Sequence, residues 1–125
     1  MKKRTPNRQY PRMARVNELL REVLAEALER IDDERLLGVT ITDVRCDADL
    51  AHAIVHFDVF DGPEADEEVV AVFEELRPRL QSAINRETRL KGTPVLAFEP
   101  DPVVRSAARI EDVLRGLNSI GEAPS

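Results

Sequence analysis

The sequence predicts an α+β domain: a three-stranded sheet with helices packed on one face, in the order helix, strand, strand, broken helix, strand, helix. Three observations carry this. Apolar residues recur every three or four positions over 16–31 and again over 69–90, the period of an amphipathic helix. Residues 50–60 alternate, the period of a strand with one buried face. Two further apolar runs, at 39–44 and 92–100, carry strand-favouring residues next to glycine or proline.

Residues 1–10 have no hydrophobic period and contain Pro6, so a mobile basic arm is expected ahead of a domain spanning 11–117. From Pro11 onward, Val16, Leu19, Leu20, Val23, Leu24, Ala27, Leu28 and Ile31 line one face of a five-turn helix. It is expected to end near DDERLLG, where Gly38 supplies the turn. VTITDV (39–44) and LAHAIVHFDVF (50–60) follow as strands joined by the short polar CDAD. In the second strand Ala53, Val55, Phe57 and Val59 share one face; His52, Ile54, His56, Asp58 and Phe60 share the other.

Pro63 suits the first turn of the next helix, where Glu64, Asp66, Glu67 and Glu68 complement the helix dipole. GTPVLAFEP (92–100) reads as the third strand. Ala107, Ile110, Val113, Leu114 and Leu117 form a final short helix ended by Gly116 or Asn118, its stripe buried with the others, and 118–125 is expected to be a disordered tail.

The second long helix holds an internal proline. Pro78 cannot donate to the carbonyl of Glu74, and in a regular helix it costs about 3 kcal/mol. On a helical wheel it lies opposite Leu76, toward solvent, so it can bend the helix without displacing the apolar stripe. The same wheel places Arg79, Ser82, Arg86 and Arg89 along one exposed flank and Arg77 on the other, with Lys91 after the helix end.

Net charge is −6, but its distribution is polarised. Lys2, Lys3, Arg4, Arg8, Arg12 and Arg15 fall within the first 17 residues, which contain no acid; the remainder holds 12 basic and 24 acidic side chains. Such a molecule can lay one edge on a polyanion and hold the rest away. The arm would supply flexible electrostatic contact, and Arg77, Arg79, Arg86, Arg89 and Lys91 would hold a phosphate backbone. With five aromatic side chains, mostly on apolar faces, little is left for base stacking.

Other chemistries find little support. His52 and His56 share a strand face, but four residues separate them by about 13–14 Å, too far for one metal. Cys46 sits beside Asp47 and Asp49, which raise a thiol pKa rather than activate it. No Walker loop, GxSxG or CxxC is present, and neither enzyme activity, cofactor nor metal is expected. The lone cysteine excludes an internal disulfide, and no run approaches the roughly 18 apolar residues of a membrane span. A cytoplasmic monomer is the expectation. An alternative is a protein-binding adaptor whose acidic helix face, 64–75, docks a basic protein such as a ribosomal protein.

RVNELLREVLAEALERIDDERLLGVTITDVRCDADLAHAIVHFDVF, RLKGTPVLAFEPD and ARIEDVLRGL together resemble ribosome-binding factor A, a bacterial small-subunit assembly factor. The resemblance implies a KH-like fold of type II order. It also implies binding to immature 30S subunits and their 16S rRNA, with assistance to 5′-end processing and late maturation, especially in the cold. The ordinary KH domain clamps nucleic acid with a GxxG loop, which the five glycines here do not form. The family instead interrupts a helix at Ala-x-Gly. Counting back from RLKGTPVLAF puts that motif on Leu76, Arg77 and Pro78, so proline stands where the family has its kink glycine. Ile54 stands where the family often has lysine.

Overall fold

A computed structural model describes residues 5–122, and the side chains of 11–117. The order of elements follows the sequence expectation. Helix α1 is Thr5–Ile31, β1 is Val39–Cys46, β2 is His52–Val59, α2 is Asp66–Glu87, β3 is Val95–Pro100 and α3 is Pro102–Glu122. Short 3-10 turns, Glu34–Leu36 and Pro63–Ala65, precede β1 and α2.

The sheet runs β1-β2-β3, with β2 antiparallel to β1 and parallel to β3. One sheet face is covered by α1 and α2. Ala53, Val55, Phe57 and Val59 are buried, as the alternation predicts, and meet Leu20, Leu24, Phe73, Leu80 and Ile84 of the helices. Phe73 is central: its ring stacks on Phe98 at 4.8 Å and tilts against Phe57 at 5.4 Å. The other face of the sheet is open, with Ile54 and Val95 in solvent.

Several boundaries differ from expectation, each for a local reason. α1 begins at Thr5, so residues 5–10 of the expected arm are its first turns. Pro6 falls in the first turn, where a missing N–H costs nothing, and Pro11 leaves only the Asn7 carbonyl without its helical donor. Lys2, Lys3 and Arg4 lie outside the described residues. α1 ends not through Gly38 but at Asp32, which adopts the left-handed conformation (φ 53°) that aspartate tolerates; Gly38 (φ 81°) turns the chain into β1.

β1 carries a bulge at Thr42, between the Ile41–Phe57 and Asp43–His56 pairs, so Ile41 and Val44, three apart, both face the core. α2 continues through Pro78 without stopping, and Pro78 is on the solvent side as the wheel requires.

α3 departs furthest. Its start is fastened: Asp101 caps it by accepting from the N–H groups of Val103 and Val104, and Arg105 reaches back to Asp58 and Asp66. Beyond Arg105 every described residue is exposed, and Ile110, Val113, Leu114 and Leu117 are each more than half accessible. The stripe expected to join the core is therefore not buried, and the helix runs to Glu122, past Gly116 and Asn118. An exposed glycine weakens a helix without obliging it to end.

Candidate nucleic-acid interface

The packing of α1 against α2 builds a basic cleft at Pro78. It encloses about 370 Å³, floored by Ala27, Ile31 and Ala83 and walled by Arg30, Arg79, Ser82 and Arg86. Steps of three and four along α2 put Arg79, Ser82 and Arg86 on one flank, as expected. Arg30 comes from α1, and nothing in the local sequence of α2 announces it.

Among the described residues one carboxylate bonds directly to the arginines of this cleft. Glu87 accepts from Arg30 at 2.6 Å and from Arg86 at 3.4 Å. Arg86 also donates to the Ser82 hydroxyl at 3.5 Å. Among the described residues Arg79 has no hydrogen bond or close ion pair, though its charge helps to hold the nearby Asp33 carboxyl low. Three guanidinium groups, with Glu87 bonded to two of them and Asp33 acting on Arg79 at longer range, leave positive charge and unspent N–H donors facing a concave, solvent-open surface. This arrangement can take an anion with several acceptor oxygens, such as a backbone phosphate.

The other expected contacts distribute differently. Arg77 is on the opposite flank and already engaged: its Nε donates to the Leu96 carbonyl at 3.0 Å, its guanidinium lies 5.8 Å from the Phe98 ring centre, and Glu74 is 3.3 Å away. Its fixed role is joining α2 to β3. Arg89 is not on the helix flank, because α2 ends at Thr88, whose N–H and hydroxyl both donate to the Ile84 carbonyl. Arg89 and Lys91 are exposed on the following loop, on either side of the half-buried Leu90.

Arg12 and Arg15 are exposed on the first half of α1. Arg12 lies five turns before Arg30, so the two share one side of the helix about 27 Å apart, with Glu26 between them. Arg8 is within α1, and its side chain lies outside the described ones. Arg105 is spent on Asp58 and Asp66, while Arg109 is exposed.

The remaining titratable groups form separate pairs. His52 lies 3.3 Å from Asp47; His56 sits 4.0 Å from Asp43 and 3.7 Å from Glu99. Among the described residues no three His, Cys, Asp or Glu side chains are placed to hold a metal ion. Burial, then Asp47 and Asp49, pushes the Cys46 thiol up to about 11. No helix of the described residues is long and apolar enough to cross a membrane.

Comparison with known proteins identifies the lineage of the chain. The family model for ribosome-binding factor A matches residues 12–114. A ribosome-binding factor A from Rubrobacter xylanophilus is 37% identical over 108 residues, covering 86% of this chain and 88% of its own. Several further relatives are longer, this chain spanning 60 to 69% of them.

Among solved structures, ribosome-binding factor A from Thermus thermophilus is similar with a TM-score of 0.64 and 27% identity, over 70% of this chain and 94% of that one. A model of the Thermus thermophilus factor fitted into a cryo-EM map of its complex with the 30S subunit gives a TM-score of 0.56 and 28% identity, over 66% of this chain and 88% of the other. With its α+β, KH-like fold and a family match across most of its length, the chain belongs to the ribosome-binding factor A family.

Proposed function

We propose that this protein is a non-catalytic assembly factor that binds the immature 30S subunit by gripping the 16S rRNA backbone at the α1–α2 cleft. The observation that carries the reading is the convergence of Arg30, Arg79 and Arg86 from two helices on one concavity where only Glu87 bonds to them among the described residues, in a chain of net charge −6. Local concentration of cations on an acidic body is what selects a polyanion over other surfaces. The family name and the relative fitted to a 30S complex support the same partner. From the family resemblance we further infer late maturation, 5′-end processing of the 16S rRNA precursor and action in the cold, and we propose a cytoplasmic address and a monomeric state.

Within it the residues divide by role. Arg79 and Arg86 hold phosphate, Arg30 closes the cleft from α1, and Ser82 adds a neutral donor. Arg8, Arg12 and Arg15 extend the contact along α1, Lys2, Lys3 and Arg4 add the charge of the N-terminal arm, and Arg89 and Lys91 add charge from the loop. Leu76, Arg77 and Pro78 set the direction of α2 where it faces the cleft.

The test is co-sedimentation with purified immature and mature small subunits across a salt series. The native chain should bind the immature subunit, with affinity falling as salt rises. Arg30→Ala/Arg79→Ala/Arg86→Ala should lose most of that binding, and its salt slope should shrink by about one for each phosphate the variant no longer neutralises. Unchanged binding by this variant would remove the cleft from the interface.

A further inference from the structure

On the far half of α2 lies a second concavity of opposite character. A groove of about 660 Å³ runs between the acidic start of α2 and the paired ends of β1 and β2. Val39, Val59, Val69 and Val72 give it an apolar floor, and Glu34, Asp61 and Glu68 stand on its walls. Arg35 also lines it, but that guanidinium is occupied by Asp33 and Glu75, at 2.7 and 2.9 Å.

Leu37 lines the same groove and Phe60 lies beside it, its N–H donating to the Gly38 carbonyl. They are the two most exposed large apolar side chains among the described residues, at 85% and 89%. Neither contributes to the core, so their exposure brings no benefit to this fold in isolation.

We propose that this groove is a docking site for a basic amphipathic segment of a partner protein. Apolar side chains of the segment would lie against Leu37 on the valine floor and reach Phe60 at the groove's edge, and its lysines or arginines would face Glu34, Asp61 and Glu68. Charge complementarity selects this occupant. Nucleic acid is repelled by the acidic walls. A second copy would bring a chain of net charge −6 against an acidic rim. The rRNA cleft and the groove lie at opposite ends of α2, so one helix would hold RNA at its basic end and protein at its acidic end.

The probe is a fluorescent synthetic peptide with leucine and lysine at helical spacing, and a leucine–glutamate peptide as control. Native full-length protein should bind the lysine peptide saturably. Amide resonances of Val39, Val59, Phe60 and Ala65 should shift on binding. Leu37→Ser/Phe60→Ser, both solvent-exposed and thus compatible with folding, should weaken binding by about tenfold, as should Asp61→Lys/Glu68→Lys. Equal binding of both peptides would overturn the proposal, as would native-like binding by both variants. Shifts confined to α3 or the open sheet face, or displacement of the peptide by an RNA hairpin, would also overturn it.

Discussion

The hydroxyl of Thr42 donates a 2.5 Å hydrogen bond to the Asp101 carboxylate, tying the bulge of β1 to the cap of α3 across the intervening strand β2. The bulge explains the reach, since an in-register Thr42 would be committed to the ordinary pleat. Asp101 is the one buried charged residue of the described chain. Burial opposes its charge, but Thr42, the N–H groups of Val104 and Val103, and His56 outweigh burial and hold its carboxyl below the ordinary carboxylate range.

This bond predicts an acid limb. Asp33, paired with Arg35 and capping the turn before β1, is likewise lowered, from 3.8 to about 2. A carboxyl depressed in the folded state stabilises it above the unfolded pKa and ceases to as pH falls through the folded value. Urea unfolding should therefore show stability declining from about pH 4 toward pH 2. Asp101→Asn should cost about 1–2 kcal/mol at neutral pH and flatten part of that decline. An unaltered acid limb would mean that Asp101 is ionised as easily in the unfolded chain.

Arg105 grips both oxygens of Asp66, the Nη2–Oδ1 contact being 2.7 Å, and also reaches Asp58 at 3.2 Å. Arg105→Ala should destabilise the domain by about 1–3 kcal/mol, and Arg105→Lys should recover little, because an ammonium cannot make the paired contact. Paired urea titrations would check this; full recovery by lysine would reduce the contact to simple charge.

Two arginines two positions apart on α2 should behave oppositely. Arg77→Ala loses the bond to Leu96 and the Phe98 face, at about 1–2 kcal/mol of stability. Arg79→Ala removes an exposed side chain with no close ion pair among the described residues, and should leave stability within about 0.5 kcal/mol while lowering small-subunit affinity. Measuring melting and co-sedimentation on both variants tests the division, and reversed effects would refute it.

Pro78→Ala would restore a donor to the Glu74 carbonyl on the solvent side of α2. Stability should rise by about 1–2 kcal/mol, less than the full helix penalty, because alanine also frees the unfolded chain. Small-subunit binding should weaken in the same variant if the proline sets the aim of Arg79 and Arg86. Stronger binding would show that the proline holds the cleft away from its best geometry.

The stripes of α1, α2 and β2 could be read from sequence because each places apolar groups on one face at the element's own period, and each face found a partner. The stripe of α3 has the same period and is exposed, since periodicity reports an amphipathic helix and not what covers it. Arg30 was invisible for a different reason. It reaches Arg79 and Arg86 only through the packing of two helices far apart in sequence. Thr42 gave no sign of a bulge because threonine suits an ordinary strand equally well. Arg77 and Arg79 look alike in the chain, and only the position of Phe98 and the Leu96 carbonyl separates a structural cation from one turned to the cleft.

The parallel pairing of β2 with β3 also imposes a sequence in time. β1 and β2 can meet through the short connection after Cys46, whereas β3 cannot join until the whole stretch from Phe60 to Pro94, α2 included, has been brought round. The β1–β2 hairpin with α1 is thus expected in the rate-limiting ensemble, and the third strand arrives after it. In stopped-flow experiments Val55→Ala should mainly slow refolding and Leu96→Ala should mainly hasten unfolding. Equal partition at both positions would mean that all three strands consolidate together. Since every described residue of α3 beyond Arg105 is exposed and only its start is fastened, by Asp101 and Arg105, its attachment to the body would be the last event of folding and the first to come undone.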